Sequence, residues 1–148
     1  MSAIKNDVID RIAEDFLGTF PIVRKLLWEG ANPISVEITP HHITILKVIG
    51  EMGPMPVSEI GRCHGISKSQ MTYLIDRLVE LGLVERQPDT GDRRVINIML
   101  TGKGEDVLNE FRASIIESIK QKLSSLDESE LEQLSDSLRK IRGILAKL

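Results

Sequence analysis

Residues 67–100 constrain this chain more than any other stretch, because a capped amphipathic helix runs there directly into two short strands around a turn. Ser67-Lys68-Ser69-Gln70 reads as a capping box, with Ser67 as N-cap and Gln70 reaching back from the third helical position. Met71, Leu74, Ile75, Leu78 and Val79 then recur at spacings of three and four, which draws one apolar stripe along a helix that Gly82 ends. Residues 83–87 and 95–100 read as strands, the second carrying Ile96, Ile98 and Leu100 on one side. Pro88-Asp89-Thr90-Gly91-Asp92 between them is turn chemistry, and Arg93 and Arg94 follow at its edge. The pair is a β-hairpin tipped with arginine.

The flanking sequence is helical. Residues 6–29 place Ile9, Ile12, Phe16, Phe20, Val23 and Leu27 on one face, with Pro21 as an interruption and Gly30-Ala31-Asn32-Pro33 as the stop. A second helix opens at Thr39-Pro40, a good N-cap followed by proline at the first helical position. Ile43, Leu46, Val48 and Ile49 are its expected buried side, ahead of Gly50 and the Gly53-Pro54 break. A short third helix over residues 57–64 stops at Gly65, suited to a left-handed cap. After the hairpin, Thr101-Gly102 starts a long helix to about residue 125, with Val107, Leu108, Phe111, Ile115, Ile119 and Leu123 inside. Asp127-Glu128-Ser129-Glu130 is a second capping box, launching a last helix with Leu131, Leu134, Leu138, Ile141 and Leu145.

The order defines a mainly α chain with a small β-hairpin wing, an α+β winged helix-turn-helix flanked by long helices. Residues 1–36 and 102–148 are expected to be dimerisation helices, and residues 37–101 the winged unit. With 41% hydrophobic and 28% charged residues, a packed core is expected rather than disorder. Aromatics are only 3%, so Leu, Ile and Val must build that core. The terminal helices carry apolar faces with too little chain beside them to cover both flanks, and a second copy of the chain would do so.

A short helix, a tight turn at Gly65-Ile66 and a second helix with a polar leading edge suit entry into a major groove about 12 Å wide. Ser67, Lys68, Ser69, Gln70, Thr72 and Tyr73 supply small donors and acceptors at that edge. Hydroxyls and Lys68 can meet phosphates at the helix N-terminus. Gln70 matches the N6/N7 edge of adenine and Lys68 the O6/N7 edge of guanine. Arg94 at the hairpin tip suits the narrow, electronegative minor groove, with Arg93 on a phosphate and Asp92 orienting the arginine fork. Each part alone reads better as a plain helix cap or a solvated turn; the helix followed at once by a basic hairpin is much more specific than either.

Residues 67–84 resemble the recognition helix of the MarR family, and residues 91–104 resemble its wing, with Asp92-Arg93-Arg94 as the Asp-x-Arg signature and Leu100-Thr101 as the exit. The similarity extends over nearly the whole chain in helix order and length. It implies a homodimer whose first and last two helices interlock, presenting two recognition helices and two wings to a palindromic operator on double-stranded DNA. It implies a regulator, in most members a repressor, released by small ligands, oxidation or metals. By position, Ser67, Lys68, Ser69, Gln70, Thr72, Tyr73 and Arg77 would belong to the DNA-binding set, with Arg93 and Arg94 on the wing and Asp92 holding Arg94 in place. Pro56 departs from the family, standing where a hydroxyl residue usually caps the short helix. Peroxide-sensing members keep their cysteine in the first helix, where this chain has none, and His41, His42 and His64 form no obvious zinc set.

Charge is the weakest support. The chain carries −3 at pH 7. Residues 62–94 hold six basic against five acidic residues, a net of +1, which leaves −4 elsewhere. A winged-helix protein adaptor without specific DNA binding is the alternative. An enzyme is disfavoured, since no Gly-rich phosphate loop, zinc-protease helix or nucleophile elbow is present, and no metal or cofactor is called for. Cys63 is the single cysteine and reads as a buried, unreactive thiol. His41 and His42 read as surface or satisfied polar groups at a helix start. Phe16, Phe20, Trp28 and Phe111 are core or ligand-crevice candidates. With no signal-like or membrane-spanning run, a cytoplasmic protein is the expectation.

Overall fold

A computed structural model describes residues 3–29, 36–64 and 66–148. The expected breaks at residues 30–33 and at Gly65 lie outside these, as do the side chains of Trp28, Cys63 and His64. The elements run α1 (Ala3–Trp28), α2 (Pro40–Met52), β1 (Met55–Pro56), α3 (Val57–His64), α4 (Lys68–Glu80), β2 (Val84–Pro88), β3 (Ile96–Leu100), α5 (Gly102–Leu123) and α6 (Glu128–Leu145). They form two compact units, residues 32–113 and residues 1–31 with 114–148.

The first of these is the winged unit. Its core is aliphatic, as the scarcity of aromatics requires: Ile43, Ile45, Leu46 and Ile49 of α2 meet Ile60 of α3, Met71, Ile75 and Leu78 of α4, and Leu83, Val84 and Ile98 of the wing base. Each fully buried side chain of this kind contributes about 1.5–3 kcal/mol relative to exposure. Two details of α2 differ from the sequence reading. Ile45 is fully buried where Val48 is only partly so, and the helix runs on through Gly50 to Met52 before Gly53 (φ +86°) turns the chain.

The hairpin is in fact a three-stranded antiparallel sheet of order β1-β3-β2. Met55 pairs with Ile98 and Pro56 with Asn97. A two-residue strand carries too little alternation to be read from sequence, and Pro56, lacking an N–H, is tolerated because the strand lies at the edge. On the other side of β3, Val84 pairs with Leu100 and Pro88 with Ile96. Ile98 is buried and Leu100 partly so, whereas Ile96, expected on the same side, is 40% exposed beside the turn.

The winged unit also takes in the first half of α5, beyond the 101/102 boundary that the sequence suggests, because Val107, Leu108 and Phe111 pack on the same core. Gly104 makes this approach possible. A Cβ there would strike the Leu83 carbonyl oxygen and come within 2.6 Å of Leu100 Cδ1.

In the other unit, α1 continues unbroken through Pro21. Carbonyls at its C-terminal end also accept hydrogen bonds from α5. Lys122 Nζ donates to Lys25 O (3.2 Å), Leu26 O (2.9 Å) and Glu29 O, and the buried Ser118 hydroxyl also donates to Glu29 O (3.1 Å). The capping box of α6 is reciprocal: Glu130 N–H donates to Asp127 Oδ1 (2.8 Å) and Asp127 N–H to Glu130 Oε2 (3.0 Å). Neither α1 nor α6 buries its apolar stripe. Phe16 is 50% exposed, Phe20 68%, Leu138 57% and Ile144 62%.

Candidate nucleic-acid interface

The candidate interface is built from the outer edge of α4 and the tip of the β2–β3 turn. Ser67 caps α4 as its sequence promises, its hydroxyl accepting from Gln70 N–H at 3.4 Å. The reciprocal half differs from the expected box: the Ser67 hydroxyl donates to Gln70 Oε1 (3.3 Å), so the Gln70 side chain meets the cap's oxygen instead of its main-chain N–H. Met71, Ile75 and Leu78 are fully buried, which fixes the rotation of the helix. Lys68, Ser69, Gln70, Thr72 and Tyr73 are thereby left exposed, Tyr73 at 72%. The Thr72 hydroxyl is already committed to Lys68 O (2.9 Å). What Thr72 presents outward is a methyl group and an oxygen whose proton is taken.

The other end of α4 closes in a Schellman turn. Leu83 N–H donates to Leu78 O and Gly82 N–H to Val79 O, both at 2.9 Å, with Gly82 at φ +71°.

At the wing, a single carboxylate shapes the turn. Asp89 accepts from Gly91 N–H (2.9 Å), Asp92 N–H (3.0 Å) and Asn97 Nδ2 (2.9 Å). The two main-chain bonds, first from Asp92 and then Gly91, and the Asn97 amide hold its pKa below the usual carboxylate value. The role of Asp89 was readable in principle, since Asp two residues before Gly in a turn is an Asx signature. The sequence assigns Asp92 to the arginine fork; in the structure Asp92 Oδ1 accepts the Arg94 main-chain N–H instead (3.0 Å). Among the described residues no carboxylate pairs with the guanidinium of Arg93 or Arg94, and both side chains are exposed.

These contacts change what the local charge count means. Of the five acids in residues 62–94, Asp76 pairs with Arg86 (2.5 Å) and Glu80 with Arg77 (3.3 Å). Glu85 accepts from Gln87 (2.6 Å), and Asp89 and Asp92 are bound to main-chain N–H groups. Arg77, placed in the DNA-binding set by sequence, is therefore half-covered and already paired. The Asp76–Arg86 pair ties β2 to α4, a link that spacing alone does not show. Arg62, Lys68, Arg93 and Arg94 are left as cations without a carboxylate partner among the described residues: Arg62 on α3, Lys68 at the N-terminus of α4 and the other two at the wing tip.

His42 is buried, only 4% exposed. Its Nδ1 accepts Thr39 N–H (3.0 Å) and lies 2.8 Å from Thr39 Oγ1, so it fills the capping-box position usually held by Glu or Gln. Burial, then Arg77 and His41, push its pKa down, which keeps the ring neutral and able to accept. Its Nε2 has no hydrogen-bond partner among the described residues. Among the described residues no three His, Cys, Asp or Glu side chains converge as a metal site, and no helix is long and apolar enough to cross a membrane.

Residues 37–95 match the family model described as "MarR family". The chain is 30% identical over 124 residues to an uncharacterized HTH-type transcriptional regulator, YpoP of Bacillus subtilis, covering 81% of this chain and 88% of that one. It is 32% identical over 135 residues to the HTH-type transcriptional repressor MdtR of the same organism, covering 87% of each. Among solved structures, the transcriptional regulator Tm0710 of Thermotoga maritima superposes with a TM-score of 0.70 at 27% identity, over 95% of this chain and 96% of that one.

Proposed function

This chain belongs to the MarR family of winged-helix transcriptional regulators, and from that premise we propose that it is a repressor, acting as a homodimer on a palindromic operator and released by a small ligand. The observation that carries the DNA-reading part is the charge pattern. The acids of the reading segment are consumed internally, and Lys68, Arg93 and Arg94 are left free at the outer edges of α4 and the wing. In this reading Ser67, Lys68 and Ser69 meet phosphates at the α4 N-terminus, and Gln70, Thr72 and Tyr73 face base edges in the major groove. Arg94 enters the minor groove, Arg93 sits on a phosphate, and Asp92 sets the main chain at Arg94. Arg77 reaches the backbone only by leaving Glu80.

Dimerisation is supported by the exposed stripes of α1 and α6, whose aromatic and aliphatic side chains a single subunit leaves uncovered among the described residues. Repression is supported by the name of the MdtR relative. Release by a small ligand rests on the family resemblance, and a cytoplasmic location follows from where such a regulator meets its operator.

Selection of bound genomic fragments tests the reading. The expected result is an inverted repeat whose half-sites lie about one helical turn, roughly 10 bp, apart. Fragments recovered without sequence enrichment would instead support a protein adaptor and sink the proposal.

A further inference from the structure

The structure holds a second set of contacts on the recognition helix, far from its reading edge. The turn that closes α4 carries three carbonyls, those of the C-cap Leu81 and of Gly82 and Leu83 just beyond it, which the helix itself cannot satisfy. The first residues after the wing take all three. Lys103 Nζ donates to Leu81 O (2.8 Å), the Thr101 hydroxyl to Gly82 O (2.6 Å) and Thr101 N–H to Leu83 O (3.1 Å). The same hydroxyl accepts from Gly104 N–H (3.1 Å), so one oxygen joins the end of α4 to the first turn of α5. The missing side chain at Gly104 lets the two backbones come this close.

We infer that Thr101 and Lys103 are positioning residues for DNA reading: they latch the C-terminal end of α4 to the start of α5 and so fix the angle at which Ser69, Gln70, Thr72 and Tyr73 meet the bases. The wing lies between the two latched segments in sequence, with β3 leading straight into Thr101. The latch therefore sets the helix and the arginine tip relative to one another. Base readout depends on placing donors within a few tenths of an ångström, whereas phosphate attraction tolerates a small rotation. Loss of the latch should cost sequence discrimination before it costs general DNA affinity.

This inference rests on the DNA-reading proposal, and the test separates the two. Affinity of the full-length protein is measured for its selected operator and for a scrambled duplex at one salt concentration, in the wild type, Thr101→Val, Thr101→Ser and Lys103→Met. Thr101→Val keeps the shape and removes the hydroxyl; its specific-to-scrambled ratio is expected to fall about tenfold, or about 1.4 kcal/mol, with scrambled binding unchanged. Thr101→Ser restores the hydroxyl and is expected to stay within about twofold of wild type. Lys103→Met, which changes an exposed side chain, is expected to shift the ratio the same way even if Thr101→Val does not fold. A discriminating wild type beside an unchanged ratio in the variants overturns the latch alone, whatever their melting temperatures do. A wild type that discriminates no sequence overturns the reading and the latch with it.

Discussion

Gly104→Ala offers a quantitative test of how the wing meets α5. Glycine in a helix is ordinarily a weakness, and replacing it with alanine gains about 0.5–1 kcal/mol. Gly104 should reverse that sign. The new Cβ would collide with Leu83 O and sit 2.6 Å from Leu100 Cδ1 and 3.2 Å from Leu83 C. Two of these three are main-chain atoms of a fully buried residue, so nothing can swing aside as a flexible side chain would. Moving the Leu83 carbonyl also stretches its bond from Thr101 N–H (3.1 Å). Overpacking costs about 1–3 kcal/mol, and a backbone obstacle puts this case near the upper end. At this chain length each kcal/mol moves the melting temperature by about 2–4 °C, so a fall of about 6–12 °C is expected for 3 kcal/mol. Gly102→Ala is the control, two residues earlier in the same turn, where a Cβ meets nothing within 4 Å. Circular dichroism melts of both variants decide it. A Gly104→Ala protein as stable as Gly102→Ala would refute the close-approach argument.

Four further outcomes are expected. Arg94→Ala should weaken operator binding at least tenfold, about 1.4 kcal/mol or more, with the dimer intact; unchanged binding in a gel-shift assay removes the wing assignment. Sedimentation should find a dimer, and Phe16→Asp with Ile141→Asp should raise its Kd at least a hundredfold, about 2.8 kcal/mol, while a monomeric wild type ends the dimer claim. His42 has a folded pKa below its ordinary 6.5, so its contribution is complete above that value and is lost as pH falls through the lowered one. Urea unfolding of the wild type should therefore weaken with acidification below 6.5, and His42→Gln should flatten that part of the profile; an unaltered profile counts against the buried cap. Lys122→Met should cost about 1–2 kcal/mol in urea unfolding at neutral pH, the worth of charged donors to α1 carbonyls discounted for partial exposure; no loss means the cap contributes nothing.

Much of the fold was legible because its signals are local. The Ser67 and Asp127 caps, the α4 stripe, the Gly82 stop and the full span of α3 come from interactions within a few residues. The exposed side of α4 was legible too, since burying Met71, Ile75 and Leu78 leaves little choice about which side chains point outward. Where the signal was short, it failed. Met55 and Pro56 pair across more than forty residues of chain with Ile98 and Asn97, and two residues carry no period of their own. His42 read as an ordinary polar residue at a helix start, because its role depends on burial against a neighbouring helix. Asp92 read as an arginine partner because opposite charges two residues apart suggest one, but in a tight turn the main-chain N–H of Arg94 is nearer.

The sequence by itself determined the order of the helices, the Ser67 and Asp127 caps and the side chains that α4 leaves exposed, because periodicity and capping are properties of neighbouring residues. It could not determine which charges remain free. The six basic and five acidic residues of segment 62–94 nearly cancel as a count. Only the tertiary structure pairs Asp76 with Arg86 across helix and strand, turns Asp89 and Asp92 onto main-chain N–H groups, and leaves Arg62, Lys68, Arg93 and Arg94 without a carboxylate among the described residues. The latch from Thr101 and Lys103 to the end of α4 is of the same kind, joining residues about twenty apart through carbonyls that every sequence possesses. A main-chain acceptor has no letter in the sequence, so contacts made to it become visible only when the chain has folded.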